Sequence, residues 1–256
     1  MIDVKFEHRS IWGHLMRTRF QQGWVDVAGV RTRYVQAGPA DAPPVVMLHG
    51  TASSWECFSA NLHQHSKHFN CYAIDMVGSG LTDKPDHDYE IPVYVAHVRG
   101  FMAAMNIKRA SLIGVSLGAW VSCRFALTHP ELIDKLTLLA SSGRIVNRET
   151  MGRTRGIRTR AVDDPSWENI KPVFNSILYS EADRINDIIC VRQSIYRDPA
   201  MRQAMDHILC LQQEEIRTRN LITDDEWRRM TTPTITRPAR PYPSLSRMRG
   251  CSRYAR

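Results

Sequence analysis

The 256-residue chain has no apolar run near the roughly 18–20 residues that a membrane-spanning helix requires. Met1 to His8 contain no apolar core of a secretory leader. The six cysteines (Cys57, Cys71, Cys123, Cys190, Cys210 and Cys251) include no C-x-x-C pair, so free thiols in a reducing, cytoplasmic compartment are expected. Cys123 and Cys210 fall on apolar helix faces, as core residues do. Gly78-Ser79-Gly80 lacks the third glycine and the following helix of a dinucleotide loop, so neither a cofactor nor a metal is expected. Two further absences bear on chemistry: no histidine follows His207 and no acid follows Glu226.

The formal net charge of +8 is confined to one end. Arg237 to Arg256 hold six arginines and no acid, and the other 236 residues carry only +2. The basic character belongs to a tail and not to a domain face, so no nucleic-acid partner and no membrane partner are expected. The oligomeric state stays open, a homodimer included. With 43% hydrophobic and 23% charged residues, the chain suits one large α/β domain.

The most informative stretch is Leu112-Ile113-Gly114-Val115-Ser116-Leu117-Gly118-Ala119. An apolar run from Ala110 ends on a serine flanked by glycines two residues away on each side, and a small-residue helix follows. This G-x-S-x-G pattern suits a sharp strand-to-helix turn that lifts a serine hydroxyl above a sheet. Glycines there remove Cβ clashes and tolerate unusual backbone angles. Ser116 is the candidate nucleophile, and the Leu117 N–H at the helix start is a candidate oxyanion donor.

The rest of the chain supplies a context. Residues 24–35 alternate about Ala28-Gly29 and read as a hairpin. Val45-Val46-Met47-Leu48 is a buried strand that ends in His49-Gly50-Thr51-Ala52. The Thr51 N–H is the candidate second oxyanion donor, with Ala52 next. His49 belongs to the turn beneath the site, and with Ala52 it joins the substrate-side candidates. A helix over 55–69, a strand at 71–74, a helix over 91–106 and a strand at 135–140 follow. Strand–helix alternation predicts a mostly parallel sheet with helices on both faces and a site at the strands' carboxyl ends. From Ser142 to Asn220 the alternation gives way to helices, as expected for an inserted cap. Its cluster Arg144, Arg148, Arg153, Arg155, Arg158 and Arg160 reads as a solvated face or as one turned to an acidic ligand.

Together, Leu48-His49-Gly50, the stretch Asp75 to Pro85, and Gly114-Val115-Ser116-Leu117-Gly118 resemble the α/β-hydrolase superfamily over Trp24 to Thr234. Phe101 to Asn106 and Cys190 to Arg202 look most like the meta-cleavage-product hydrolases, which cleave a C–C bond in 2-hydroxy-6-oxo-dienoates. The resemblance implies an α/β-hydrolase fold with a helical cap. It also implies a serine hydrolase acting on an ester or on such a C–C bond, with Arg192 holding the acidic end of a small-molecule substrate. Two positions depart from that family: Val115 stands where it has asparagine, and Thr51-Ala52-Ser53-Ser54 replaces a glycine-rich run.

The resemblance also implies an acid after the strand that follows the cap and then a histidine, and the chain has no acid after Glu226 and no histidine after His207. Prolines 233, 238, 241 and 243 argue against a central strand, so the last strands are expected to be missing. The abrupt change in composition is what a shifted reading frame or a replaced C-terminus produces. The expected organisation is a core over 1–141, a cap over 142–220, a return to the core over 221–236, and a disordered basic tail over 237–256. Among possible stand-ins for the base, only His207 lies where it could reach the site. Two functions therefore stand side by side: an impaired serine hydrolase, or a non-catalytic binding protein of the same fold.

Overall fold

The computed structural model describes residues 10–178 and 180–237. After a short helix α1 (Trp12–Leu15), strands β1 (Phe20–Val27) and β2 (Val30–Ala37) form the expected hairpin, with Val27 paired to Val30. Ala28 and Gly29 take the two positive φ angles of its tight turn, 52° and 86°. Strands β3 (Pro44–Leu48), β4 (Asn70–Ile74), β5 (Ala110–Val115) and β6 (Ile133–Leu139) follow, separated by α2 (Ser59–His65), α3 (Ile91–Ala104) and α4 (Leu117–Thr128). The inserted segment forms α5 (Arg148–Asp163), α6 (Trp167–Asn175), α7 (Asn186–Tyr196), α8 (Ala200–Ile208) and α9 (Glu214–Asn220), before α10 (Asp224–Arg229) and β7 (Thr234–Arg237).

The sheet runs β1-β2-β4-β3-β5-β6-β7, antiparallel through β1, β2 and β4 and parallel from β4 to β7. The chain has the α/β-hydrolase fold. Met47, Cys71 and Ala73 pack with Trp55, Phe58 and Leu62 on one face. Val46, Leu48 and Leu112 pack with Val98, Phe101, Trp120 and Val121 of α3 and α4 on the other. With both faces covered, β4 is buried at every residue, which explains its unbroken apolar run. The expected helix over 55–69 is shorter, a tight turn at Trp55–Phe58 followed by α2.

The return expected over 221–236 takes the form of a short strand, β7, with Thr234 to Arg237 beside Leu136 to Leu139 in parallel register. The strand can start directly after Pro233 because that proline has no N–H to give to the ladder. Pro233 supplies only its carbonyl, which accepts from the Leu136 N–H at 2.9 Å. Among the described residues no strand pairs the outer edge of β7, and Ile235 there is 71% exposed. The expected tail loses its first residue, Arg237, to this strand. The rest of that tail lies outside the described residues.

None of the described helices is long and apolar enough to cross a membrane. The described cysteines are all free.

Candidate active site

Strand β5 delivers Ser116 to the carboxyl edge of the sheet, and α4 starts on the next residue. Ser116 has φ 53° and ψ −109°, a conformation that L residues occupy only when their surroundings force it. Those surroundings are identifiable. The Ser116 N–H donates to the Leu139 carbonyl of β6 at 2.9 Å, and its own carbonyl accepts from the Trp120 N–H of α4 at 3.1 Å. The flanking glycines serve close approach. A Cβ on Gly118 would stand 2.1 Å from the Leu48 carbonyl oxygen, and one on Gly114 would stand 2.4 Å from that of Gly118. Neither glycine has a positive φ, so the unusual backbone belongs to the serine alone. The Leu117 N–H opens α4 and has no carbonyl one turn earlier in the helix to accept it.

The loop after β3 lies against this turn, where a Cβ on Gly50 would come 3.5 Å from Ser116 Cβ. The Ser53 N–H donates to the Gly50 carbonyl at 3.1 Å and closes a turn with Thr51 and Ala52 at its centre. Ala52 takes φ 48°. Among the described residues no acceptor takes the Thr51 N–H.

His49 is wholly buried beneath that loop, and the structure gives it a turn-holding role in place of a substrate contact. Its Nδ1–H donates to the Gly50 carbonyl at 2.7 Å, and Nε2 accepts from the Met76 N–H at 3.0 Å, so both nitrogens are engaged by backbone. Burial above all, with the charges of Arg192, Arg33 and Arg158, lowers its pKa to about 3.

Asp75, at the end of β4, anchors the other side of the loop. Its carboxylate accepts from Arg33 Nε at 2.6 Å, the Trp55 N–H at 2.8 Å and the Leu81 N–H at 2.9 Å. Arg33 also pairs with Glu56 at 3.1 Å. Burial pushes both carboxyls above their ordinary range, and the Arg33 guanidinium opposes it.

Arg192 reaches this loop from α7. It is 3% exposed, and its Nη2 donates to Ser53 Oγ at 2.7 Å. Its guanidinium lies over Phe174 and Tyr196 at 5.4 and 5.5 Å from the ring centroids. The buried Arg192 Nε has no partner in the structure. The Tyr196 hydroxyl donates to the Ala52 carbonyl at 3.2 Å and accepts from Arg158 Nη1 at 3.1 Å and Arg192 Nη1 at 3.4 Å. Burial disfavours the phenolate, but the two guanidiniums outweigh it and hold the phenol below its ordinary pKa. Cys57 keeps accessible surface beside Ser53.

Arg158 and Tyr196 were not singled out by the sequence reading. Their signal is periodicity: Arg158 shares a buried stripe with Met151, Ala161 and Val162, and Tyr196 one with Ile189 and Arg192. The basic cluster is therefore not one solvated face. Arg158 is buried, Arg144 pairs with Asp224, and Arg148 pairs with Glu214 at 2.6 Å.

Among the described residues no histidine ring hydrogen-bonds the Ser116 hydroxyl. His97 bridges the Val77 N–H and Thr32, His129 stacks on Phe125, and both His207 nitrogens face Asp86 and Asp88 at 2.9 and 3.1 Å. His207 ties α8 to the loop before α3 and is not poised as a base.

Residues 43–167 match the family model described as alpha/beta hydrolase fold. The chain is 36% identical over 118 residues to epoxide hydrolase 2 of Caenorhabditis elegans, a match covering 45% of this chain and 33% of that protein. It is 31% identical over 134 residues to the 2-hydroxy-6-oxo-6-(2'-aminophenyl)hexa-2,4-dienoic acid hydrolase of Metapseudomonas resinovorans, over 50% of this chain and 44% of that one. The chain thus spans less than half the length of these curated relatives. Two solved structures share the fold. The 2-hydroxy-6-oxo-6-phenylhexa-2,4-dienoate hydrolase of a Rhodococcus species has a TM-score of 0.71 at 20% identity, over 86% of this chain and 80% of that one. A serine hydrolase of Cycloclasticus zankles has a TM-score of 0.74 at 19% identity, over 85% and 80%.

Proposed function

We propose, for a chain that belongs to the α/β-hydrolase superfamily, a serine hydrolase site built on Ser116 that takes a small carboxylate-bearing substrate. The observation that carries this reading is the strained serine itself. A non-glycine residue at φ 53° between a buried strand and a helix start is held there by its neighbours at a cost of about 1–3 kcal/mol. In this reading Ser116 Oγ attacks the carbonyl carbon, and the developing oxyanion is met by the N–H groups of Leu117 and Thr51. Water then releases the acyl group. With a C–C substrate, the dienol first ketonises, water then adds to the 6-oxo carbonyl, and the adjacent C–C bond breaks with its electron pair passing into the conjugated 2-oxo group, which takes up a proton. Arg192 supplies the anion contact, since its Nε is unpartnered and its Nη2 can exchange Ser53 for a ligand carboxylate. An ester, or a 2-hydroxy-6-oxo-dienoate of the kind named for the Metapseudomonas relative, fits such a site. No cofactor enters this chemistry, and the free thiols favour a cytoplasmic setting.

The absence of a described histidine on Ser116 limits the rate. A serine with its oxyanion donors but no base retains only about 10³–10⁴-fold of rate enhancement over water. The same observation favours the second reading, a binding protein that keeps the pocket. The test is labelling of the folded chain with a fluorophosphonate, beside Ser116→Ala. Stoichiometric labelling lost in S116A supports the hydrolase reading. No labelling, together with millimolar or tighter binding of an aryl carboxylate that R192M abolishes, supports the binder.

A further inference from the structure

We propose that Arg158 and Tyr196 are positioning residues that shape the oxyanion turn from the inserted helices. The inference rests on the reading of Gly50–Ser53 as that turn. Two adjacent residues of the turn are held from outside it: the Ala52 carbonyl by the Tyr196 hydroxyl, and the Ser53 hydroxyl by Arg192. Tyr196 has one proton and two lone pairs. Arg158 and Arg192 donate to the lone-pair side of the hydroxyl, which leaves its single proton directed at Ala52 and fixes the phenol there. Arg158 hydrogen-bonds the phenol and reaches the turn through it. The turn needs this support because Ala52 sits at φ 48° without being a glycine. Its carbonyl direction fixes the plane of the Ala52–Ser53 peptide, whose N–H closes the turn onto Gly50. In this arrangement the inserted helices hold, from outside, the turn that carries the Thr51 N–H.

The experiment is amide hydrogen exchange on a peptide spanning residues 49–54 in the full chain, comparing wild type with Y196F, R158A and R158K. Exchange is expected to rise about tenfold in Y196F and R158A, with β5 and α4 unchanged. R158K should recover part of the protection, because one ammonium N–H can still reach the phenol. Unchanged exchange in Y196F, with a melt as cooperative as wild type, overturns the proposal. If Y196F fails to fold, the R158A and R158K pair decides in the same way. A second readout is the fluorophosphonate reaction of Ser116. The maximal labelling rate should fall about tenfold in R158A at an unchanged half-saturating concentration, with partial rescue in R158K, since loss of an oxyanion donor acts on the transition state and not on encounter. Equal maximal rates in R158A and wild type overturn the proposal. If wild type does not label at all, the Ser116 reading falls, and the exchange comparison alone decides whether the turn is held from the inserted helices.

Discussion

Asp75→Asn is the substitution that separates a structural acid from a catalytic one. The side chain is fully buried, and its two oxygens serve three donors: Oδ1 takes the Trp55 N–H, and Oδ2 takes Arg33 Nε and the Leu81 N–H. Asparagine keeps the shape. In its better orientation the amide oxygen keeps Arg33 and Leu81, and the amide nitrogen then faces the Trp55 N–H. One buried backbone donor is left unpaired, at about 1–3 kcal/mol. The Arg33 guanidinium, 4% exposed, also loses one of its two carboxylates and keeps only Glu56. Breaking a buried pair from one side costs about 3–5 kcal/mol, a large share of the roughly 5–15 kcal/mol that holds a domain together. The assay is urea unfolding followed by tryptophan fluorescence, with Asp134→Asn as the control. Asp134 also pairs with an arginine, Arg109 at 2.9 Å, but with side chains 58% and 41% exposed that pair is worth about 1 kcal/mol or less. The D75N midpoint should fall by about 1–2 M urea with the slope unchanged. A D75N cost no greater than that of D134N would refute the view that Asp75 holds the loop beneath the site.

The glycines and the buried histidines give two further tests. Gly118→Ala should destabilise by about 1–3 kcal/mol or more, because its Cβ would meet the Leu48 backbone at 2.1 Å. Gly152→Ala, with nothing within 4 Å in the same test, should stabilise α5 by up to about 1 kcal/mol, and thermal melts of the two variants check the contrast. For pH, His49 and His97 are held to about 3 and about 4, so the folded chain resists protons that the unfolded chain accepts. Stability should therefore fall as pH drops below about 6.5, by up to about 1.4 kcal/mol per unit for each ring, until the folded values are reached. His207 has the opposite sign. Burial opposes its charge, but Asp88 and Asp86 outweigh it and raise its pKa. Its contribution is full below the unfolded value and lost as pH rises through the folded one. Melts of H207N between pH 5 and 8 should converge with wild type at the alkaline end.

How much of this was legible follows from what apolar periodicity can report. It marks a residue's own burial, so β3, β4, β5 and the α3 face were readable residue by residue. Gly114 and Gly118 were readable because close approach leaves glycine as its only solution, although the accompanying idea of unusual glycine angles belongs to Ser116. Partnership is a different matter. Arg33 sits in a hairpin strand whose polar residues read as solvent-facing, and its carboxylate partner is 42 residues away. Arg158 is hidden in a basic run, because its charge matches its exposed neighbours and only its place on the Met151–Val162 stripe marks it as buried. Strand β7 was obscured by its prolines, which exclude a central strand but permit a four-residue one between them.

These placements divide the site into two parts of different origin. Among the described residues, the contacts that hold Ser116 in its strained conformation come from before residue 140: the Leu48 carbonyl against Gly118, the Leu139 carbonyl on the Ser116 N–H, and Gly50 beside its Cβ. The oxyanion turn adds His49 and Asp75 from the same region, together with Arg158, Arg192 and Tyr196 from the inserted helices. Among the described residues, these contacts all come from β2 to α7 and the loops between them. Under the proposed reading, Ser116→Ala should lose fluorophosphonate labelling while keeping ligand binding, and loss of both together in another variant would place the fault in the turn.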